Sequence, residues 1–256
     1  MPKTHSYGWR PGVPDQRRYR FRVAKPIQLA TSLDLRPQQP PVFDQGQLGS
    51  CTGNGIAAEL EAQAMAQGAE PTPLSRLFIY YNERDAEGTV QSDAGAEIMD
   101  GIKSVVNLGV CSEAEWPYDM AKFATRPDQS CYQDALKFRA VLYESVDQDL
   151  TQIKTALATG RGLVIGISVY DSFESDAVAA SGVVPLPALS ENMLGGHCVR
   201  LVGYTDVGLA DIPAGHFICM NSWGTDWGLK GFFAIPYPYL LDPNMASDFW
   251  TITATG

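Results

Sequence analysis

Apolar residues recur at helical spacing in the first half of the chain. The segments 74–84 and 95–107 carry them three and four residues apart, which is the period of a helix that packs on one side. Between residues 56 and 67, alanine and other strong helix formers run up to Gly68. This pattern predicts a mainly helical first lobe over about residues 45–135.

Beyond Pro127 the pattern changes to that of strands. Short runs rich in β-branched and aromatic residues alternate with turn-forming residues. The predicted strands cover residues 138–143, 163–170, 198–204, 217–221 and 231–235, with one helix over 150–159. We therefore expect a second lobe of twisted antiparallel sheet or open barrel over about residues 136–256. The fold class is α+β, with a cleft between two lobes.

Charge divides the chain into a basic arm and an acidic body. Residues 1–28 contain seven basic and one acidic side chain, a net charge of +6, whereas residues 29–256 contain 12 basic and 28 acidic side chains, a net charge of −16. A basic arm can bind nucleic acid or a membrane surface. The arm also carries aromatic residues that suit docking on the chain's own body, namely Tyr7, Trp9, Tyr19 and Phe21. We favour self-docking, because an acidic body repels a phosphate backbone and attracts its own arm.

Several classes of function are not indicated. No window reaches the ~20 apolar residues that span a bilayer, and the first residues lack the apolar core of a secretory signal. The number of cysteines, five, is odd, which favours a reducing compartment. We expect a cytoplasmic protein, or one exported without a conventional signal. Neither a Walker-type phosphate loop nor a metal-ligand spacing occurs, so we expect no cofactor, no metal, no nucleic-acid or membrane partner, and a monomer.

Cys51 stands at the predicted start of a helix. Residues 45–57 read QGQLGSCTGNGIA, in which Gly49 allows a tight turn and Ser50 is suited to cap the helix. The positive end of the helix dipole and the unpaired backbone N–H groups there favour a thiolate. Taken alone, the position also fits a small buried structural cysteine.

One distinctive residue precedes Cys51, and two short motifs follow it. Gln45 lies six residues before Cys51, a Gly-Gly-His stretch ends 146 residues after it at His197, and Asn221 begins the sequence NSWGTDWG 24 residues later. In this order of Gln, Cys, His and Asn, the chain from about Leu33 to its end resembles the bacterial branch of the papain-like cysteine peptidases. The resemblance implies a papain-like two-lobe fold with the thiol and the imidazole on opposite walls of the cleft.

The resemblance implies a catalytic role for each of these residues. Cys51, as a thiolate paired with the His197 imidazolium, attacks the peptide carbonyl, and the imidazolium then protonates the leaving amine. Water hydrolyses the thioester. Asn221 holds the imidazole, and Trp223 shields their contact from water. The Gln45 amide and the Cys51 backbone N–H stabilise the oxyanion.

The resemblance also places the residues that would bind substrate. Related enzymes bind the extended substrate backbone with a glycine pair, and here Gly95 and Ala96 stand in its place, with alanine at the second position. An apolar pocket would have Ile98 and Ile167 as its walls, with Gly196 beside the base. We expect this pocket to select medium-sized apolar residues at the second position before the cut. The predicted substrate-binding set is Gly49, Gly95, Ala96, Ile98, Ile167, Gly196 and Trp223.

We therefore expect a cysteine endopeptidase that acts on peptides or proteins. Two alternatives stay open: an exopeptidase or amide-transferring relative with the same Cys–His pair, and a peptide-binding module without catalysis. The arm, residues 1–28, matches no propeptide pattern of the family, but at ~3.3 Å per extended residue it has ample reach to the cleft. It either shields Cys51 and gives a latent enzyme, or it is a strap fastened to the back of one lobe.

Overall fold

Helices dominate the first half of the protein and strands the second. The computed structural model describes residues 5–13 and 17–255; arm residues 1–4 and 14–16, with Lys3 and Asp15, lie outside this range. The helices are α1 (Cys51–Ala66), α2 (Arg76–Glu87), α3 (Ile98–Leu108), α4 (Gln129–Ala135), α5 (Leu150–Ala158), α6 (Asp176–Ser181) and α7 (Tyr237–Leu241). The strands are β1 (Ser32–Asp34), β2 (Arg139–Ser145), β3 (Leu163–Tyr170), β4 (Met193–Thr205), β5 (His216–Met220), β6 (Phe232–Pro236) and β7 (Ala246–Thr255). Short 3₁₀ helices cover Arg36–Gln38, Met120–Lys122 and Asp171–Glu174.

The strands form one sheet of order β2-β7-β3-β4-β5-β6, and β1 pairs with β4. Every strand pair is antiparallel in the described part of the chain, and Ile167 lies opposite His197 across the β3–β4 pair. Asn221 follows the last residue of β5, on the other side of β4. The α+β class and the antiparallel sheet of the second lobe are confirmed. Strand β7, which the sequence pattern did not predict, lies between β2 and β3.

Local signals account for the helix ends. The Ser75 side chain accepts a hydrogen bond from the Phe78 N–H at the start of α2, and Gly88 ends that helix in the left-handed conformation. Ser50 precedes α1, but its side chain makes no capping bond to the helix backbone. It pairs instead with the hydroxyl of Tyr118. The predicted cap at Ser50 is therefore wrong as to its side chain, because a tertiary partner takes the hydroxyl.

Two main apolar clusters lie on opposite faces of the sheet, and helix α1 belongs to the first of them. One contains residues of α1, α2 and α3 together with Trp250 of β7, and the other fills the space between the sheet and the helices of the second lobe. Helix α1 is buried over residues 51–63 because it packs against α2, α3 and the sheet. Its first turn therefore sits between the two lobes. The predicted boundary at residues 28 and 29 stays a prediction.

The N-terminal arm contributes one large side chain to each cluster. Trp9 is buried in the first cluster and Phe21 in the second. The arm also hydrogen-bonds to the edge of the sheet: the Phe21 N–H donates to the Ser145 carbonyl over 2.8 Å, and the Ser145 N–H donates to the Tyr19 carbonyl over 2.8 Å. The arm thus packs on the chain's own body through Trp9 and Phe21, whereas Tyr19, which was also predicted to dock, is exposed.

Candidate active site

His197 and Asn221 meet where β4 and β5 run side by side. The His197 ring is fully buried, and its Nε2 lies 2.8 Å from the Asn221 Oδ1. The same oxygen accepts the Ser222 N–H over 2.8 Å, which fixes the carboxamide so that its oxygen faces the ring. His197 Nδ1 has no hydrogen-bond partner in the described part of the chain. An amide oxygen on Nε2 orients the imidazole and leaves Nδ1 as the nitrogen available to another group.

Trp223 covers this pair. Its indole stacks on the His197 ring with centroids 4.8 Å apart and planes inclined by 25°. Trp227 and Phe173 pack edge-on against the same indole and hold it in place. Asn221 is 3% exposed, so the contact between imidazole and carboxamide is screened from water. This arrangement strengthens a hydrogen bond that would compete with water in an open site.

Gln45 is buried and held at both ends of its amide. Its Oε1 accepts from the Ser222 hydroxyl over 2.6 Å, which leaves the Nε2 group as the donor toward the cleft. The Nε2 group donates to the Leu48 carbonyl over 2.9 Å and to the carbonyl of Ser6, in the arm, over 3.1 Å. Gln45 therefore presents an oriented N–H donor beneath the arm, and the Ser6 carbonyl occupies that donor.

Cys51 is the first residue of α1 and is fully buried. Burial raises the pKa of its thiol to about 12, against the lowering effect of the backbone N–H groups of Cys198, Gly8 and Thr52. Two of these donors come from outside its own helix: Cys198 follows His197 on β4, and Gly8 belongs to the arm. The thiol thus lies against the strand that carries the imidazole, beneath the arm.

His197 is shifted in the opposite sense. Burial lowers its pKa to about 4, although the hydrogen bond to Asn221 favours the charged form. A thiol with a raised pKa and an imidazole with a lowered one are both neutral near pH 7. Burial thus opposes a thiolate–imidazolium pair beneath the arm, and the ion pair stays a prediction.

The arm lies on the backbone of the predicted substrate-binding residues. The Trp9 N–H donates to the Gly196 carbonyl over 2.9 Å, the Ala96 N–H to the Gly8 carbonyl over 2.7 Å, and the Arg10 N–H to the Ala96 carbonyl over 3.0 Å. Alanine at position 96 therefore does not prevent backbone pairing. A Cβ on Gly95 would come within 2.0 Å of the Gly8 carbonyl oxygen, so the close approach requires glycine there.

The Trp9 indole fills an apolar pocket whose walls differ from those predicted. A Cβ on Gly166 would lie 1.9 Å from the ring, and one on Gly196 would lie 2.8 Å from it. Ile98 is buried in the same cluster as Trp9. Ile167 is buried in the other cluster, because neighbouring residues of β3 point to opposite faces of the sheet. Gly166, which the sequence analysis missed, thus occupies the place that we assigned to Ile167.

Gly49 and Asp93 form a further contact at the cleft. The Gly49 N–H donates to both oxygens of the Asp93 carboxylate over 3.0 and 2.9 Å, and the Tyr80 hydroxyl donates to the same group. A Cβ on Gly8 would fall 1.7 Å from the Gly49 carbonyl oxygen, so the arm passes directly over this turn. Asp93 was not predicted; its position two residues before Gly95 is the only signal in the sequence.

The described residues contain no group of three or more His, Cys, Asp and Glu side chains placed to hold a metal ion. All five cysteines are free and buried. None of the helices in residues 5–13 and 17–255 combines the length and apolar character that a membrane span requires.

The site and the fold define a class: a thiol hydrolase with a Cys, a His and an Asn at the junction of a helix and an antiparallel sheet. Residues 29–239 match the family model described as papain family cysteine protease. A peptidase C1-like protein of Acanthamoeba polyphaga mimivirus is 40% identical over 242 residues, 89% of this chain and 76% of that protein. Procathepsin L of Mus musculus is 29% identical over 224 residues, 84% of this chain and 63% of that protein.

Two solved structures are also similar to this chain. Xylellain, a cysteine protease from Xylella fastidiosa, has a TM-score of 0.90 at 37% identity, with 99% of this chain and 97% of that chain covered. Digestive procathepsin L 3 from the larval midgut of Tenebrio molitor has a TM-score of 0.73 at 20% identity, over 97% of this chain and 76% of that chain, and shows the shared fold. The chain belongs to the papain family of cysteine proteases.

Proposed function

We propose that this protease is a cysteine endopeptidase with Cys51 as nucleophile and His197 as its base, held latent by its own N-terminal arm. The observation that best supports this proposal is the orientation of the His197 imidazole. Asn221 engages Nε2 over 2.8 Å, and Nδ1 is left free at the strand against which the Cys51 thiol lies. This geometry supports proton transfer between Nδ1 and the thiol.

In the proposed reaction, His197 takes the thiol proton and Cys51 attacks the substrate carbonyl. The negative charge that develops on the carbonyl oxygen is met by the Gln45 amide and the Cys51 backbone N–H. The imidazolium then protonates the leaving amine, and water hydrolyses the thioester in a second passage through the same site. Asn221 keeps the ring in the orientation that both steps need.

The path of the arm supports an endopeptidase. From His5 to Val13 the chain is described without a break; it begins over Trp223 and continues past Ala96 to the far end of the cleft. Polypeptide therefore passes beyond the thiol on both sides. An exopeptidase closes one side of its cleft around a chain terminus, and no described segment does so here.

The arm's contacts support latency over a mere strap. The Ser6 carbonyl occupies the Gln45 donor, and the Trp9 ring fills the apolar pocket. The Gly8 N–H of the arm also acts on the Cys51 thiol. The arm thus occupies the Gln45 donor and the apolar pocket at the same time. Its departure would rehydrate the site and remove the burial that opposes the ion pair.

Labelling with an epoxide inhibitor that alkylates active-site thiols, followed by mass mapping, tests the nucleophile. We expect modification of Cys51 in Trp9→Ala, in which the arm is loosened, and none in the double variant Trp9→Ala/His197→Ala under the same conditions. Cleavage of peptides blocked at both ends then tests the endopeptidase. Hydrolysis only of free-ended peptides would favour the exopeptidase, and the absence of both labelling and hydrolysis, also after the arm is loosened, would favour a binding module.

A further inference from the structure

The cleft contains a bound peptide, which is the arm itself. Carboxylates of the body contact the arm on both sides of the thiol. The main chain of residues 8–10 hydrogen-bonds to Ala96 and Gly196 as an added strand. A polypeptide is therefore the ligand that this groove binds, and the side chains of the arm show which chemistry each part of the groove accepts.

At one end of the groove a carboxylate holds the arm. Glu174 lies 3.0 Å from the His5 Nδ1 and also accepts from the Tyr7 hydroxyl. The His5 ring stacks on Trp223 with centroids 3.8 Å apart. A cavity of about 370 Å³ opens beside them, and its acidic lining residues are Asp44, Glu174, Asp176 and Asp226. This end offers carboxylates and an indole face, which together suit a cationic side chain.

The opposite end is acidic as well. Glu87 pairs with Arg10, and Asp248 accepts the Gly12 N–H over 2.9 Å and lies 3.8 Å from the Arg18 guanidinium. Under the arm, the Glu87 side chain is 10% exposed and that of Asp248 is 5% exposed. When the arm leaves, Asp248 loses its contacts with Gly12 and Arg18, and Glu87 loses Arg10 while it still accepts the Glu97 N–H.

We propose that the groove selects polypeptide segments with cationic side chains on both sides of a central aromatic residue, and discriminates against acidic segments. This inference rests on the proposed function, since it names the substrate class of the same cleft. The aromatic residue takes the place of Trp9 over Gly166, and lysine or arginine side chains take the places of His5 at one end and of Arg10 and Arg18 at the other. The net charge of −16 on residues 29–256 acts in the same direction, by attracting basic chains and repelling acidic ones.

The test compares peptides that share one tryptophan-centred core and differ only in their flanks, which are Lys, Gln or Glu at each end. Binding is measured by fluorescence anisotropy to the full chain carrying Cys51→Ala and Trp9→Ala, so that peptides are not cut and the arm is loosened. We expect each Lys end to bind about fivefold more tightly than Gln, and each Glu end more weakly, with the differences shrinking at high salt.

Single substitutions then assign each end. In that background, Glu174→Gln should remove the Lys preference at one end only, and Asp248→Asn at the other. Asp211→Asn is the matched control, since it removes one charge at an exposed site paired with Arg36, away from the groove. Equal binding of Lys-, Gln- and Glu-flanked peptides, or tighter binding of the Glu-flanked ones, would overturn the inference.

A separate experiment tests the proposed function. The Gln-flanked peptide is incubated with the full chain that keeps Cys51 and carries only Trp9→Ala. Its hydrolysis measures catalysis without charged flanks, whereas the binding series measures charge preference without catalysis. Failure of one therefore does not imply failure of the other.

Discussion

Removal of the Trp9 side chain should release the arm and activate the protein. The ring is 5% exposed and sits over Gly166 and Gly196. A buried Trp ring covers ~150–250 Å², and at ~25 cal/mol per Å² its burial contributes ~4–6 kcal/mol as an upper bound. Measured large-to-alanine substitutions in cores cost ~3–5 kcal/mol. The Trp9 backbone bond to Gly196 survives in Trp9→Ala, so the loss is that of the side chain.

If this loss falls on the docked arm and not on the whole fold, the closed-to-open ratio drops ~10²- to 10³-fold, at ~1.4 kcal/mol per factor of ten. The initial rate of hydrolysis of a blocked fluorogenic peptide should then rise toward the rate of a fully open enzyme. The rate of Cys51 alkylation should rise with it. Thermal unfolding is recorded in parallel, because a loss of the global fold would lower both rates.

Phe21→Ala is the matched control. Phe21 is an arm side chain of similar burial, 3% exposed, but it packs in the second cluster near Ser145, away from the thiol. We expect a comparable loss of thermal stability with a much smaller gain in activity. A folded Trp9→Ala protein with wild-type activity would refute the shield and leave the arm as a strap. Equal activation by both substitutions would refute the specific role of the Trp9 pocket.

Three further predictions concern single positions. In the full chain, Cys51 should be alkylated slowly at pH 7 and faster in Trp9→Ala, because burial raises the thiol pKa to about 12; equal iodoacetamide rates would contradict this. Burial raises the pKa of Glu83 to about 8, so the wild type should lose stability relative to Glu83→Gln as pH rises from about 5 to 8, since the unfolded chain releases this proton first. Parallel unfolding free energies in urea across that range would disprove it. Gly166→Ala should raise basal activity and shift peptide preference from tryptophan toward smaller side chains, since its Cβ would meet the Trp9 ring; unchanged kcat/KM ratios would exclude this wall.

Local patterns were sufficient for most elements. Strand β3 begins and ends where alternation and β-branched residues predicted, at Leu163 and Tyr170, and α5 begins at Leu150 as predicted. Strands β1 and β7 and the short helices α4, α6 and α7 were missed. The short-range signals at these elements are weak, and β7 is fixed by its pairing with β2 and β3, from Ile167 opposite Ala246 to Arg139 opposite Thr255.

The candidate site, like the fold, could be predicted only in part. Its chemistry was readable because Gln45, Cys51, His197 and Asn221 stand in short motifs of distinctive spacing. The residue of β3 that lines the apolar pocket could not be predicted. A shift of one residue along β3 exchanges Ile167 for Gly166 and moves the side chain to the other face of the sheet. Only the pairing of β3 with β4 sets that register.

The sequence by itself determined the longer helices and most strands, the residue types of the site and the opposite charges of arm and body. Those properties depend on neighbours within a few residues, or on simple sums. The tertiary structure decided where the arm lies and that the Ser6 carbonyl takes the Gln45 donor, and burial beneath the arm raises the pKa of the thiol and lowers that of the imidazole. Burial is a property of the packed chain, and its cost to a charge outweighed the helix end that the local sequence offered to Cys51.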